Sequence, residues 1–243
     1  MFAWLRMLGV KRGALAVGLL CFTLRAWSES PPERPADFVN LGDYAPSVLL
    51  DLRYATSNNF VGEVISGYES PRAWLTQKAA DALNAAQLRL LPLGYSLKVL
   101  DAYRPQRAVL HFVRWARDSE DTTTKSEFYP DLSKAELFAK GYIALESSHS
   151  RGSTVDVTLM RRTAEGEWTA VEMGSPYDFF GEVSAAEATG ISAEAAAFRS
   201  LLRAVMVTNG FEPYAREWWH FTLSDEPYPE TYFDFPLSRD PVL

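Results

Sequence analysis

Residues 147–156 read Ser-Ser-His-Ser-Arg-Gly-Ser-Thr-Val-Asp, and residues 217–220 read Glu-Trp-Trp-His. The chain has three histidines, His111, His149 and His220, and two of them fall in these stretches with carboxylates close by in sequence. Neutral imidazoles and one carboxylate to hold an ion, with a second carboxylate to handle protons, form the residue kit of a zinc hydrolase. Zinc takes four tetrahedral ligands at about 2.0–2.2 Å, and a catalytic site leaves one position for water. His149, Asp156 and His220 are the candidates for the other three. A structural zinc usually has four protein ligands and favours cysteine. The only cysteine, Cys21, lies in a segment expected to be removed.

His149 and Asp156 would stand about 23 Å apart on one straight strand. The chain must therefore turn between them. Gly152 can take positive φ, and serines favour turns. Beyond the turn, Val155, Val157 and Leu159 share one strand face, so Asp156 points to the other. Glu217 and His220 would face opposite sides of a regular strand. Trp218, Trp219, Phe221 and Thr222 favour a strand. We therefore expect His220 on a strand and Glu217 at its irregular entry, beside the ion rather than on it. His111 sits mid-helix and reads as structural.

Ser-x-His-x-x-Gly-x-x-x-Asp followed by Glu-x-Trp-His resembles the zinc D,D-peptidases of the cell wall. Ser148, His149, Gly152 and Asp156 fit the first pattern, and Glu217, Trp219 and His220 the second. Four further stretches narrow the resemblance to the D-alanyl-D-alanine dipeptidases, the VanX-type enzymes. They are Asp51 to Phe60 (DLRYATSNNF), Asp101 to Gln106 (DAYRPQ), Met173 to Phe180 (MGSPYDFF) and Gly210 to Pro213 (GFEP). The resemblance runs from about Phe38 to about Leu223. It implies one zinc per chain and hydrolysis of D-Ala-D-Ala, with Glu217 as general base. It also implies that Arg104 stabilises the transition state, that Asp178 contacts the substrate amine and that Ser148 adds a hydrogen bond to the substrate. The same chemistry would serve a D,D-carboxypeptidase trimming longer stem peptides, and a non-catalytic cell-wall binding protein could keep the fold alone.

Of the 243 residues, Met1 to Ser28 reads as a secretory signal. Arg6, Lys11 and Arg12 precede an apolar run, Gly13 to Leu24, that is shorter than the roughly 20 residues a membrane span needs. Ala26-Trp27-Ser28 suits cleavage, and an uncleaved anchor is the alternative. Four basic residues and no acids lie in this segment, so its removal takes the net charge from −7 to −11. An acidic surface argues against nucleic acid or anionic lipid as partner. The remaining chain, 29–243, has no cysteine for disulfides and suits a single periplasmic domain with a small D,D-dipeptide as substrate. Its oligomeric state is not legible.

Glu29 to Asp37 reads as a disordered polar lead, and Tyr44 to Tyr54 contains a strand around Val48-Leu49-Leu50. Thr56 to Gly67 is loop-like. Trp74 to Leu91 is predicted as a helix, with Leu75, Ala79, Leu83, Ala86 and Leu90 inward. Ser96 to Asp101 is a short strand. Arg104 precedes Pro105, which opens a helix to about Asp118. Ser119 to Lys125 is a polar loop, and Ser133 to Glu136 is a capping box. Met160 to Glu172 reads as a hairpin extension turning at Glu165-Gly166. The last helix runs from Ile191 or Ser192 to Asn209, capped by Gly210, and Glu217 to Leu223 is the closing strand. The tail after Ser224 is expected to wrap the surface. Strands mixed with non-alternating helices predict an α+β fold, a small antiparallel sheet flanked by helices. The resemblance implies the same, the zinc D,D-peptidase or hedgehog-like fold.

Overall fold

The computed structural model describes residues 32–238. The expected export segment lies outside the described residues. The end of the polar lead is tied down rather than disordered. Asp37 accepts a backbone hydrogen bond from Gln77 and another from the Tyr228 hydroxyl, at 2.7 and 2.8 Å.

The chain runs through β1 (Phe38–Asn40), α1 (Leu41–Tyr44), β2 (Leu49–Leu50), β3 (Trp74–Thr76), α2 (Gln77–Leu90), β4 (Tyr95–Asp101) and α3 (Gln106–Arg117). It continues through α4 (Lys125–Phe128), α5 (Lys134–Ala139), β5 (Thr154–Arg162), β6 (Trp168–Ala170), α6 (Ala193–Thr208), β7 (Phe211–Pro213) and β8 (His220–Leu223). Among the described residues no helix is long and apolar enough to cross a membrane. The main sheet has the order β2-β4-β5-β8-β7, with β6 pairing further along β5. The architecture is α+β, but the sheet is mixed. β2 and β4 run parallel, and the other pairs are antiparallel. A parallel pair needs a crossover connection, and α2 lies within it.

Several boundaries move from their sequence positions for visible reasons. The helix expected from Trp74 begins at Gln77, because Trp74–Thr76 pairs with β1 instead. The Thr76 side chain then caps α2 by accepting from the Ala79 backbone. The strand expected around Val48-Leu49-Leu50 is the two-residue Leu49–Leu50. The closing strand begins at His220, leaving Glu217 to Trp219 in a turn. Ser133 forms the expected capping box with Glu136.

The tail departs most from expectation. Phe235 and Leu237 are buried rather than laid on the surface. Phe235 stacks on Tyr103 with ring centroids 4.0 Å apart, and the Tyr103 hydroxyl donates to its carbonyl at 3.0 Å. The Phe233 backbone N–H donates to Ser150 at 2.8 Å, so the tail braces the turn that carries His149. On α6, buried Arg199 braces a second loop. It donates to the carbonyls of Met173, Ala185 and Val183 at 2.6, 2.7 and 2.9 Å, which frames the segment carrying Asp178.

Gly152 sits at φ +83°, closing the turn after His149. A β-carbon there would overlap the Phe38 ring. That ring is held edge-on by Tyr103, Phe233 and Phe235 and has nowhere to go. Gly152→Ala is therefore expected to cost about 2–4 kcal/mol from left-handed strain plus overpacking. That corresponds to a thermal midpoint lower by about 5–10 °C for a domain of this size. A melt by circular dichroism checks this, and an unchanged midpoint refutes it.

Candidate metal centre

The register of the sheet assembles the centre. Asp156 on β5 lies opposite His220 on β8 and opposite Asp101 at the end of β4. His149 comes from the turn just before β5. Its Nε2 stands 3.2 Å from Asp156 Oδ1. His220 Nδ1 stands 3.2 Å from the same oxygen and 3.2 Å from His149 Nε2. Three tetrahedral donors about 2.0–2.1 Å from a common centre are about 3.3 Å apart, so the triangle has the size that zinc requires.

The protons support the same reading. His149 donates from Nδ1 to the Ala102 carbonyl at 2.7 Å, which leaves the Nε2 lone pair facing inward. His220 Nε2 pairs with the Ser148 hydroxyl at 3.2 Å, which turns Nδ1 inward. Asp156 Oδ2 accepts from the Tyr177 hydroxyl at 2.9 Å, with Arg104 Nη2 at 3.5 Å. Asp156 Oδ1 is buried and makes no hydrogen bond. Buried polar atoms are otherwise paired in folded proteins. Two imidazole nitrogens and a carboxylate oxygen that converge to 3.2 Å, the oxygen without a hydrogen bond, fit a divalent cation.

Burial holds the His149 pKa below its ordinary value, so the ring is neutral and able to ligate. Burial works the other way on Asp156, but His149 and then His220 outweigh it and keep the carboxyl below its ordinary range.

Around the three ligands lies a cavity of about 440 Å³, lined in part by Arg104, Ser148, Asp178, Tyr214 and Glu217. Glu217 Oε2 is 3.5 Å from His220 Nδ1, on the rim of the centre. Burial pushes its pKa up to about 7, with His220 pulling the other way. Arg104 is fixed by its Nε bond to Asp101 at 2.9 Å, and its guanidinium lies 5.0 Å from the Tyr54 ring centroid. Asp178 adopts φ +62°, the one non-glycine residue with positive φ among those described. Both its oxygens accept from the Tyr54 hydroxyl, at 3.1 and 3.0 Å. Burial first, then the charge of Asp156, pushes its pKa well above the carboxylate range. His111 lies apart, paired with Ser66 and Glu63.

Four residues of the site were not assigned from sequence. Asp101 receives Arg104 and the Tyr68 hydroxyl, the latter at 2.6 Å, and lies 3.6 Å from His149 Nδ1. Tyr54 and Tyr177 link Asp178 to Asp156. Tyr214 packs its ring 5.4 Å from that of His220. A signal existed for Asp101, an acid closing the apolar run Val99-Leu100 just ahead of Arg104.

A buried imidazole–carboxylate triad with a free acid and a pinned arginine on its rim defines a metallopeptidase centre. The chain belongs to peptidase family M15, the D-Ala-D-Ala dipeptidases, whose family model matches residues 34–238. It is 47% identical over 201 residues to a D-alanyl-D-alanine dipeptidase of Enterococcus faecalis, covering 83% of this chain and 98% of that protein. It is 44% identical over 202 residues to one of Streptomyces coelicolor, with the same coverages. Among solved structures it is similar to the vancomycin-resistance D,D-pentapeptidase VanY in complex with Zn(II). That match has 15% identity and a TM-score of 0.38, covering 64% of this chain and 75% of that one.

Without metal, the raised pKa of Glu217 has a measurable consequence. Between its ordinary value of 4.5 and about 7 the folded protein holds a proton that the unfolded chain has released. Its contribution to stability is thus complete below pH 4.5 and is lost as pH rises through 7. Asp178 acts in the same direction. In excess chelator, the melting midpoint is expected to fall between pH 5 and pH 8, and Glu217→Gln to flatten part of that fall. Superimposable profiles for the two proteins would show that Glu217 titrates normally.

Proposed function

We propose that the protein hydrolyses D-Ala-D-Ala to two D-alanines, using one zinc ion per chain held by His149, Asp156 and His220. The observation that carries this is the 3.2 Å triangle of donor atoms, one of them a buried oxygen without a hydrogen bond, on the wall of a cavity. The family model and the dipeptidase relatives over most of the chain supply the substrate. Bound there, zinc supplies a Lewis acid for the scissile carbonyl and makes water acidic near neutral pH.

The chain's own residues do the rest. Glu217 accepts a proton from the attacking water as the C–O bond forms. It returns that proton to the nitrogen as the C–N bond breaks. Arg104 donates to the oxygen on which negative charge develops. Its orientation by Asp101 means little reorganisation is needed at the moment of reaction. Asp178, steadied by the Tyr54 hydroxyl, receives the free ammonium of the dipeptide. An acylated nitrogen brings no positive charge to Asp178, and the loss of that pairing favours dipeptides over longer stem peptides. Ser148 lines the cavity, where it can donate to the substrate, and its hydroxyl also orients His220.

We infer from the sequence alone that residues 1–28 export the chain to the periplasm and are removed, leaving 29–243 as one catalytic domain. A role in recycling wall-derived D-alanine suits that location. Protein recovered from the periplasmic fraction is expected to begin at Glu29 by mass spectrometry. Recovery of the full-length chain on membranes would instead favour the uncleaved anchor.

The activity is tested with D-Ala-D-Ala and N-acetyl-D-Ala-D-Ala on one sample of known zinc content. Cleavage of the free dipeptide alone is expected. Cleavage of the acetylated compound at comparable kcat/KM would favour the carboxypeptidase, and zinc without turnover on either would favour the binding protein. Glu217→Ala is expected to lower kcat at least about 100-fold, in line with general acid–base catalysis, while leaving one zinc per chain. Retention of more than a few per cent of activity would remove Glu217 from that role.

A further inference from the structure

Behind the cavity wall lies a buried hydroxyl that none of the steps above uses. Tyr177 lies on the segment framed by Arg199, one residue before Asp178. Its hydroxyl donates to Asp156 Oδ2 at 2.9 Å and lies 3.3 Å from the Tyr54 hydroxyl. Its ring packs against Trp219, centroids 5.3 Å apart, and tilts against Tyr54. Tyr54, Asp156 and Asp178 all line the cavity around the metal centre, and Tyr177 does not. It borders a separate cleft on the other side, with Trp218 and Lys98. Tyr177 therefore stands behind the metal ligand, out of reach of anything in the catalytic cavity.

A carboxylate has two equivalent oxygens. Left alone beside a cation it can rotate to offer either or both. Here the two oxygens of Asp156 have different surroundings. Oδ2 is engaged by Tyr177 at hydrogen-bonding distance, with Arg104 Nη2 further away at 3.5 Å. Oδ1 has no hydrogen bond and faces both imidazole nitrogens. Only the tyrosine proton distinguishes them at short range. Hydrogen bonds to ligating carboxylates and imidazoles orient those ligands, and losing one commonly costs 10–100-fold in metal affinity or activity.

We propose that Tyr177 is a positioning residue for the metal centre, its hydroxyl holding Asp156 Oδ2 so that Oδ1 alone is presented to the ion. This rests on the reading of His149, Asp156 and His220 as ligands.

Tyr177→Phe removes the hydroxyl and keeps the ring. The purified full chain is stripped of metal, and zinc affinity is measured by competition with a chromophoric chelator, with the melting midpoint of the stripped protein as a check on folding. The dissociation constant is expected to rise about 10-fold or more. With saturating zinc, kcat for D-Ala-D-Ala is expected to fall while KM changes less than threefold, because Tyr177 does not touch the substrate. Cobalt(II) gives a reading independent of stability. Freed from Tyr177, Asp156 can engage the ion with both oxygens, and the higher coordination number weakens the visible absorption of tetrahedral cobalt. A dissociation constant within threefold of wild type, together with an unchanged cobalt spectrum, overturns the proposal. Failure of the wild-type protein itself to bind zinc would overturn the reading of the ligands instead, so the two failures are distinguishable.

Discussion

The organisation of this protein depends on three lone pairs brought face to face. Asp156 Oδ1 and two imidazole nitrogens form a triangle with 3.2 Å edges, and Oδ1 has no hydrogen bond. Such a grouping repels itself unless a cation occupies the middle, and the surrounding structure enforces it. Each donor is anchored by its other end. The Ala102 carbonyl holds His149, Ser148 holds His220, and Tyr177 holds Asp156.

The fold exists around that triangle in a direct sense. Antiparallel pairing of β5 with β8 sets Asp156 opposite His220, and pairing of β4 with β5 brings Asp101 alongside. His149 cannot come from the same strand as Asp156 and still face it. The chain solves this with one helical turn closed by a left-handed glycine, packed so tightly on Phe38 that no β-carbon fits. Phe38 is in turn held by the aromatic residues of the tail. The last described stretch of the chain thereby stiffens a turn far earlier in sequence.

Much of this was legible in the residues, and the remainder was not for identifiable reasons. Helix α6 announced itself through the apolar stripe Phe198, Leu201, Leu202, Val205 and Met206, of which Leu201 is only half-buried, and Gly152 through the need to fold back between two candidate ligands. Local geometry was enough for both. Trp74–Thr76 was misread because an apolar run beside a helix looks like its first turn, and only the distant β1 makes it a strand. The tail misled for a similar cause. Proline and tyrosine suggested exposure, whereas Phe235 finds its partner in Tyr103, which lies 132 residues away in sequence. Tyr54 and Tyr177 went unassigned because a hydroxyl declares its role only through its neighbour. The neighbours here are 124 residues away for Tyr54 and 21 for Tyr177.

Charge explains why the surrounding acids behave as they do. Asp101, Asp156, Asp178 and Glu217 gather around a single guanidinium, that of Arg104. Burial disfavours four carboxylates in so small a volume, and it raises the pKa of three of them, Asp101, Asp178 and Glu217. Arg104 stays charged because the carboxylates of Asp101 and Asp156 offset its own burial. A divalent ion at the triangle adds two positive charges, and a substrate ammonium beside Asp178 adds a third. In the proposed function each cation would ease ionisation of the carboxylates that receive the other. An acylated dipeptide brings no such charge. On this account the preference for a free amine is an electrostatic property of the whole acidic cluster, with Asp178 as its point of contact.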